Sequence, residues 1–120
     1  MNSNRSRRVG EQIQRELAEL IQFTLKDPRL GRVTLSQVEV SRDLAYAKVY
    51  VTPGLGTDIA GSLQALTSAA GFLRRELGRR MKLRMTPELR FIHDTTLERA
   101  SNISELIERA RADDRSRGGE

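Results

Sequence analysis

Apolar residues recur at a helical spacing over the first part of the chain. From Val9 to Leu25 they fall three and four positions apart, which places them on one face of an amphipathic helix. Because Pro28 disfavours helical dihedral angles at Asp27, this helix is predicted to stop near Lys26.

The next segment changes to the two-residue period of β-strands. Apolar and polar residues alternate over residues 33–40 and again over residues 45–51, with residues 41–43 between the two runs, a pattern that predicts a β-hairpin. The alternation slips by one residue between Leu35 and Val38. A bulge or a change of buried face is therefore expected in the first strand.

A longer apolar stripe runs from Ile59 to Met81 and would suit one straight helix by its spacing alone. However, Gly71 follows three small residues at positions 68–70, where helix stability is weakest. Phe72 would also point away from the stripe if the axis were straight. These two observations predict a bend close to Gly71.

The remaining pattern completes an α+β order. Pro87 precedes a short strand in which Leu89 and Phe91 share a face, and apolar residues among positions 103–110 indicate a last short helix. The predicted fold is a three-stranded sheet covered by helices on one face. We assign residues 1–5 to a flexible basic arm, 6–111 to a single domain and 112–120 to a disordered tail.

Composition narrows the function classes. The chain has 120 residues, no Cys and a single His, so a disulfide framework, a thiolate metal site and a multi-histidine site are excluded. No apolar run is long enough to cross a membrane, and the polar N-terminus lacks the apolar region of a secretory signal. We therefore expect a cytoplasmic protein without a cofactor.

Positive charge is concentrated in residues 72–90, which carry seven bases and two acids. Several of these bases form a row opposite the apolar stripe, and such charge releases counterions from nucleic acids. The alternatives are a solvated helix face for this segment and a solubilising terminus for the arginines that precede the first helix. The candidate RNA-binding residues are Arg5, Arg7, Arg8, Arg74, Arg75, Arg79, Arg80, Lys82 and Arg84.

Aromatic base stacking has weaker support. Tyr46, Lys48 and Tyr50 lie on the outer side of the second strand, where they could stack bases, but ordinary cross-strand packing is the favoured interpretation. The chain has only two Tyr, three Phe and no Trp. Contacts to the RNA backbone should therefore dominate.

The sequence has no clear motif for an enzymatic reaction. His93 has no serine or carboxylate at the spacing of a catalytic triad, so a satisfied strand-end histidine is the favoured interpretation. The segment from Gly56 to Ser62 has the glycine spacing of a phosphate-binding loop, but Gly61 stands where that loop needs lysine. An RNA-cleaving enzyme remains only as an alternative.

Four segments resemble the bacterial ribosome-binding factor A family: residues 27–31 (Asp-Pro-Arg-Leu-Gly), 38–51, 71–74 and 87–91. The resemblance covers roughly residues 5 to 111. It implies a type II KH-like domain of the order α-β-β-α-kink-α-β, to which the apolar pattern of the sequence adds a short C-terminal helix. The Ala-x-Gly kink of the family matches Ala69, Ala70 and Gly71.

The resemblance implies that the chain binds the free or immature small (30S) ribosomal subunit and its 16S rRNA. It further implies help in late maturation, including 16S rRNA 5′-end processing, with most importance in the cold. The mechanism would be non-catalytic RNA chaperoning by a monomer, and it leaves other assembly factors, including a GTPase, open as partners. A general RNA- or DNA-binding regulator without ribosome specificity is the alternative.

Overall fold

The computed structural model describes residues 4–96, 98–100, 107, 108 and 110. Residues 1–3 of the predicted arm, apolar positions 103 and 106 of the predicted last helix, and residues 112–120 lie outside this description. Ile107, another apolar position of the predicted last helix, is among the described residues and is helical and exposed. The elements are α1 (Asn4–Thr24), β1 (Val33–Val40), β2 (Tyr46–Pro53), α2 (Ile59–Ser68), α3 (Ala70–Met81) and β3 (Glu88–His93).

The three strands form one sheet in the order β1-β2-β3, with β2 at its centre. β1 and β2 pair antiparallel, as the predicted hairpin requires, whereas β2 and β3 pair in parallel. On one face of β2 the side chains of Ala47, Val49 and Val51 are fully buried. On the opposite face Tyr46 and Lys48 are exposed, so helices cover a single side of the sheet as predicted.

The bulge expected in the first strand is present. The register of β1 against β2 shifts between Leu35 and Gln37, so Ser36 is the extra residue. Leu35 lies opposite Val51 before the shift, and the partly buried Val38 packs against the same core after it. The bulge therefore keeps both apolar halves of β1 on the covered face.

Helix α1 starts earlier than its apolar stripe. It begins at Asn4, so the prediction that Arg5, Arg7 and Arg8 lie on an arm ahead of the helix is wrong. Arginine is a good helix former, and such residues extend a helix without contributing to the apolar period from which its start was predicted. The three arginines occupy exposed positions on the first turns of α1.

The predicted bend is confirmed at Ala69, which separates α2 from α3 with φ −89° and ψ −1°. The apolar stripe continues across this break, because Leu66 on α2 and both Leu73 and Leu77 on α3 are fully buried. The two helices therefore share one core on either side of the break at Ala69.

Asp94 ties the end of β3 to the bulge and to the helical turn that follows. One carboxylate oxygen accepts a hydrogen bond from the Ser36 hydroxyl at 2.5 Å, and the other accepts one from the Thr96 backbone N–H at 2.9 Å. The hydrogen bonds from Ser36 and Thr96 lower the pKa of Asp94 from 3.8 to about 2.

We predict that Gly10→Ala destabilises the protein by about 1–3 kcal/mol, because overpacking forces backbone shifts. A Cβ at Gly10 would lie 2.7 Å from the Val38 carbonyl oxygen, which cannot move without displacing β1. Gly71→Ala is the matched control, since a Cβ there meets only the Arg75 Nη1 at 3.9 Å. It should change the free energy of unfolding by less than about 1 kcal/mol. Urea unfolding measures both, and equal effects would contradict the assigned packing.

We also predict a specific acid sensitivity. Because the pKa of Asp94 is depressed on folding, its ionised form contributes stability that is complete above pH 3.8 and is lost as the pH falls toward about 2. In Asp94→Asn this ionisation is absent, so its melting temperature should fall less steeply over that interval than that of the wild type. Parallel melting curves for the two proteins across this pH range would contradict the prediction.

Candidate nucleic-acid interface

The break between α2 and α3 brings a small-residue surface to solvent. Ala69 and Ala70 are half-buried, whereas Gly71 is exposed. The nearest atom to a Cβ built at Gly71 is the Arg75 Nη1, so the Arg75 side chain folds back toward the glycine. The predicted kink motif is therefore an open surface beside a guanidinium group.

The predicted basic row is exposed, although only part of it lies on a helix. Arg75 and Arg79 lie four residues apart on α3, and the Arg79 side chain is 80% exposed despite an ion pair with Glu76 at 3.3 Å. Lys82 follows the last helical residue in the left-handed conformation, with φ 51°. Arg75 and Lys82 have no hydrogen-bond or ion-pair partner among the residues described, so they are available to an anion.

Arg74 has an internal partner. Its Nε and Nη2 both donate hydrogen bonds to the carbonyl oxygen of Thr86, at 3.0 and 2.9 Å. Thr86 lies in the loop that leads into β3. These two hydrogen bonds hold the loop against α3.

Arg80 joins α3 to α1. Its Nη1 lies 3.2 Å from Glu16 Oε2 and 3.3 Å from Glu19 Oε1. Hydrogen bonding to Glu16 is the main reason that the pKa of Arg80 is raised. Two carboxylates already surround this one guanidinium group, so a phosphate would meet net negative charge there.

The first turns of α1 and the start of β3 lie at the same end of the sheet, beside the β1–β2 turn. Gly10 packs against the carbonyl of Val38, which places the first turns of α1 beside the end of β1. The Glu88 N–H donates a hydrogen bond to the Ala45 carbonyl, so β3 begins beside the same β1–β2 turn. Arg5, Arg7 and Arg8 on the first turns of α1 are exposed, and so are Lys82 and Arg84 in the segment between α3 and β3.

The β1–β2 turn adds a base that the sequence analysis missed. The Asp43 carboxylate accepts hydrogen bonds from the Ser41 hydroxyl at 2.7 Å and the Ala45 N–H at 3.1 Å, which lower the pKa of Asp43. Leu44 takes the left-handed conformation, with φ 61°. Arg42 is exposed at the tip of this turn. A lone arginine between two strands was the only sequence signal for it.

The outer face of the sheet has mixed charge. Lys48 lies between Glu39 on β1 and Arg90 on β3 in the strand register. The Tyr50 hydroxyl donates to Glu39 at 3.5 Å, and burial is the main cause of its raised pKa. Tyr46 is 51% exposed. Acids interleaved with bases fit the favoured interpretation of cross-strand packing.

The residues considered for catalysis have structural partners. His93 ends β3, with its Nε2 3.2 Å from Glu98 Oε1. Gly61 and Ser62 are buried in α2, and the Ser62 hydroxyl accepts a hydrogen bond from the Gly31 N–H at 3.0 Å. In the described part of the chain no group of three acidic, His or Cys side chains could hold a metal ion. No helix there is long and apolar enough to span a membrane.

Comparisons with known proteins agree with this architecture. The sequence model of a family described as ribosome-binding factor A matches residues 5–107. A ribosome-binding factor A of Thioalkalivibrio sulfidiphilus is 59% identical over 114 residues, which cover 94% of this chain and 88% of that protein. Its counterpart in Pseudomonas paraeruginosa is 51% identical over 121 residues, which cover 98% of this chain and 94% of that protein.

Solved structures give the same result. The crystal structure of ribosome-binding factor A from Thermus thermophilus is 36% identical with a TM-score of 0.67, over 73% of this chain and 93% of that one. A homology model of the Thermus thermophilus protein, fitted into a cryo-EM map of a 30S–RbfA complex, is 38% identical with a TM-score of 0.62, over 71% of this chain and 90% of that one. The expected α+β, KH-like fold is thereby confirmed, and the chain belongs to the ribosome-binding factor A family.

Proposed function

We propose that this protein binds the small (30S) ribosomal subunit through its 16S rRNA and assists the late maturation of that subunit. Membership of the ribosome-binding factor A family supports this, as does the similarity to a relative fitted into a 30S complex. The observation that carries the RNA contact is the exposed row formed by Arg75, Arg79 and Lys82 beside the open kink.

The chemistry of this surface suits phosphate groups. An arginine presents its N–H donors in a planar fork that matches a phosphate, and these side chains are free to reorient toward one. The kink adds a place where an RNA backbone can approach closely, because Gly71 has no side chain. Such contacts recognise the shape and backbone of RNA and do not depend on base identity.

The effect on rRNA is a shift of population without bond chemistry. A protein that binds one RNA conformation better than another moves the equilibrium by the ratio of the two affinities. Maturation steps that need the favoured conformation, including 5′-end processing of 16S rRNA, then proceed faster. The benefit is greatest in the cold, where misfolded RNA helices exchange slowly. The protein acts as a cytoplasmic monomer, alongside other assembly factors that include a GTPase.

Replacing Arg75, Arg79 and Lys82 together with alanine should flatten the slope of log affinity against log salt by about 2 units, since each cation neutralises about one phosphate. The readout is the binding of purified small subunits by labelled protein over a series of salt concentrations. An unchanged slope would assign the row to a solvated helix face. In parallel, equal co-sedimentation of the wild type with small subunits, large subunits and whole ribosomes would favour a general nucleic-acid-binding regulator.

Two neighbouring arginines should respond differently. Arg79→Ala should weaken subunit binding and reduce the salt slope while leaving the melting temperature close to that of the wild type, because the Arg79 side chain is 80% exposed. Arg80→Ala should lower the melting temperature and leave the salt slope unchanged, because Glu16 and Glu19 already hold its guanidinium. The opposite assignment of effects would show that the ion pairs open on the subunit.

A further inference from the structure

An arginine outside the basic segment is held in a fixed orientation by its own loop. Between α1 and β1, the Arg29 Nη2 donates to Asp27 Oδ2 at 2.6 Å, and its Nε lies 3.1 and 3.2 Å from the two carboxylate oxygens. The Arg29 backbone N–H also donates to Asp27 Oδ1 at 2.9 Å. These bonds lower the pKa of Asp27 to about 2, so the acid stays ionised. The guanidinium therefore has little freedom to turn.

This loop places the guanidinium at the end of α2. The Arg29 Nη2 also lies 3.3 Å from the hydroxyl oxygen of Ser68, the last residue of α2 and the neighbour of the break at Ala69. The Gly31 N–H bonds to the hydroxyl of Ser62, which fastens the same loop to α2 a second time. Arg29 thus approaches the kink from the α2 side, while the Arg75 side chain lies over Gly71 on the α3 side.

The Arg29 guanidinium has hydrogen-bond donors that are not used within the described part of the protein. A guanidinium has five N–H groups. The Nε and Nη2 groups face Asp27 and Ser68, whereas Nη1 forms no hydrogen bond to any described residue. The side chain is 44% exposed. The two Nη1 donors therefore have no partner in the described part of the chain, and they belong to a partly exposed side chain beside the kink.

We propose that Arg29 is a further RNA-binding residue, which donates its two Nη1 hydrogens to a backbone phosphate lying along the break between α2 and α3. This rests on the RNA binding proposed above and names one more contact in it. Asp27 is the positioning residue, because it fixes the direction in which the guanidinium points. A fork held in place loses less conformational freedom when it binds than a mobile one does.

Because Arg29 is paired with Asp27, an oriented contact to phosphate can be distinguished experimentally from a long-range effect of net charge. Together Asp27 and Arg29 carry no net charge, so the pair adds little to the long-range attraction of RNA. Asp27→Asn raises the net charge of the protein by one. If only charge matters, this variant should bind RNA more tightly, whereas a contact that depends on orientation should weaken.

The test compares three variants of the full chain with the wild type in binding to purified small ribosomal subunits at fixed salt. Arg29→Lys keeps the charge but loses the fork, and it should bind about tenfold more weakly, as expected for the loss of one charged hydrogen-bonding contact. Asp27→Asn should also bind more weakly. Arg32→Lys, a matched change at an exposed arginine of the same segment whose side chain has no partner among the described residues, is the control and should bind like the wild type. Tighter binding by Asp27→Asn together with unchanged binding by Arg29→Lys would overturn the proposal.

Circular dichroism and thermal melting of each variant separate binding from folding. If Arg29→Lys and Asp27→Asn lower the melting temperature but bind like the wild type while folded, the pair merely fastens the loop and the proposal is overturned. If the wild type itself ignores small subunits, the proposed function fails and this inference falls with it. If the wild type binds and only the triple alanine variant is weakened, the function stands and the role of Arg29 alone is lost.

Discussion

The apolar face of the central strand β2 is the constraint on which the rest of the structure depends. Ala47, Val49 and Val51 have no exposed surface, and burying such apolar area is the main favourable term in folding. Both α1 and the shared apolar stripe of α2 and α3 pack against this one face and cover it. The bulge at Ser36 and the break at Ala69 are adjustments that keep apolar side chains on this face. Polar side chains such as that of Lys48 lie on the opposite, exposed face of β2.

The arginines of the basic segment divide by their partners. Arg74 and Arg80 bind groups of the protein itself, a carbonyl in one case and two carboxylates in the other. Arg75 and Arg79 point to solvent from the same helix. Arginines that are one or a few positions apart therefore differ in role, since some make contacts within the fold and others remain exposed. Formal charge alone overstates how many phosphates such a segment can hold.

Much of the architecture followed from the period of apolar residues, because burial imposes that period directly. The hairpin, the slip after Leu35, the bend beside Gly71 and the single covered face of the sheet were all predicted in this way. The start of α1 was missed because Arg5 and its neighbours prolong the helix without joining its apolar stripe. One partner of Arg80, Glu16, lies 64 positions away, and one partner of Arg29, Ser68, lies 39 positions away, and only the tertiary arrangement brings them together. The basic residues could therefore be identified from the sequence, whereas the contacts that distinguish internally paired arginines from exposed ones could not.

The parallel pairing of β3 with β2 has a consequence for the order of folding. Both helices that carry the kink lie in the connection between these two strands, so their placement depends on the last strand of the sheet. Contacts so distant along the chain form late, after local ones such as the β1–β2 hairpin. A chain still emerging from the ribosome that makes it has not yet set its arginines in place. The exposed surface of α3 is therefore complete only once the chain has been made as far as β3.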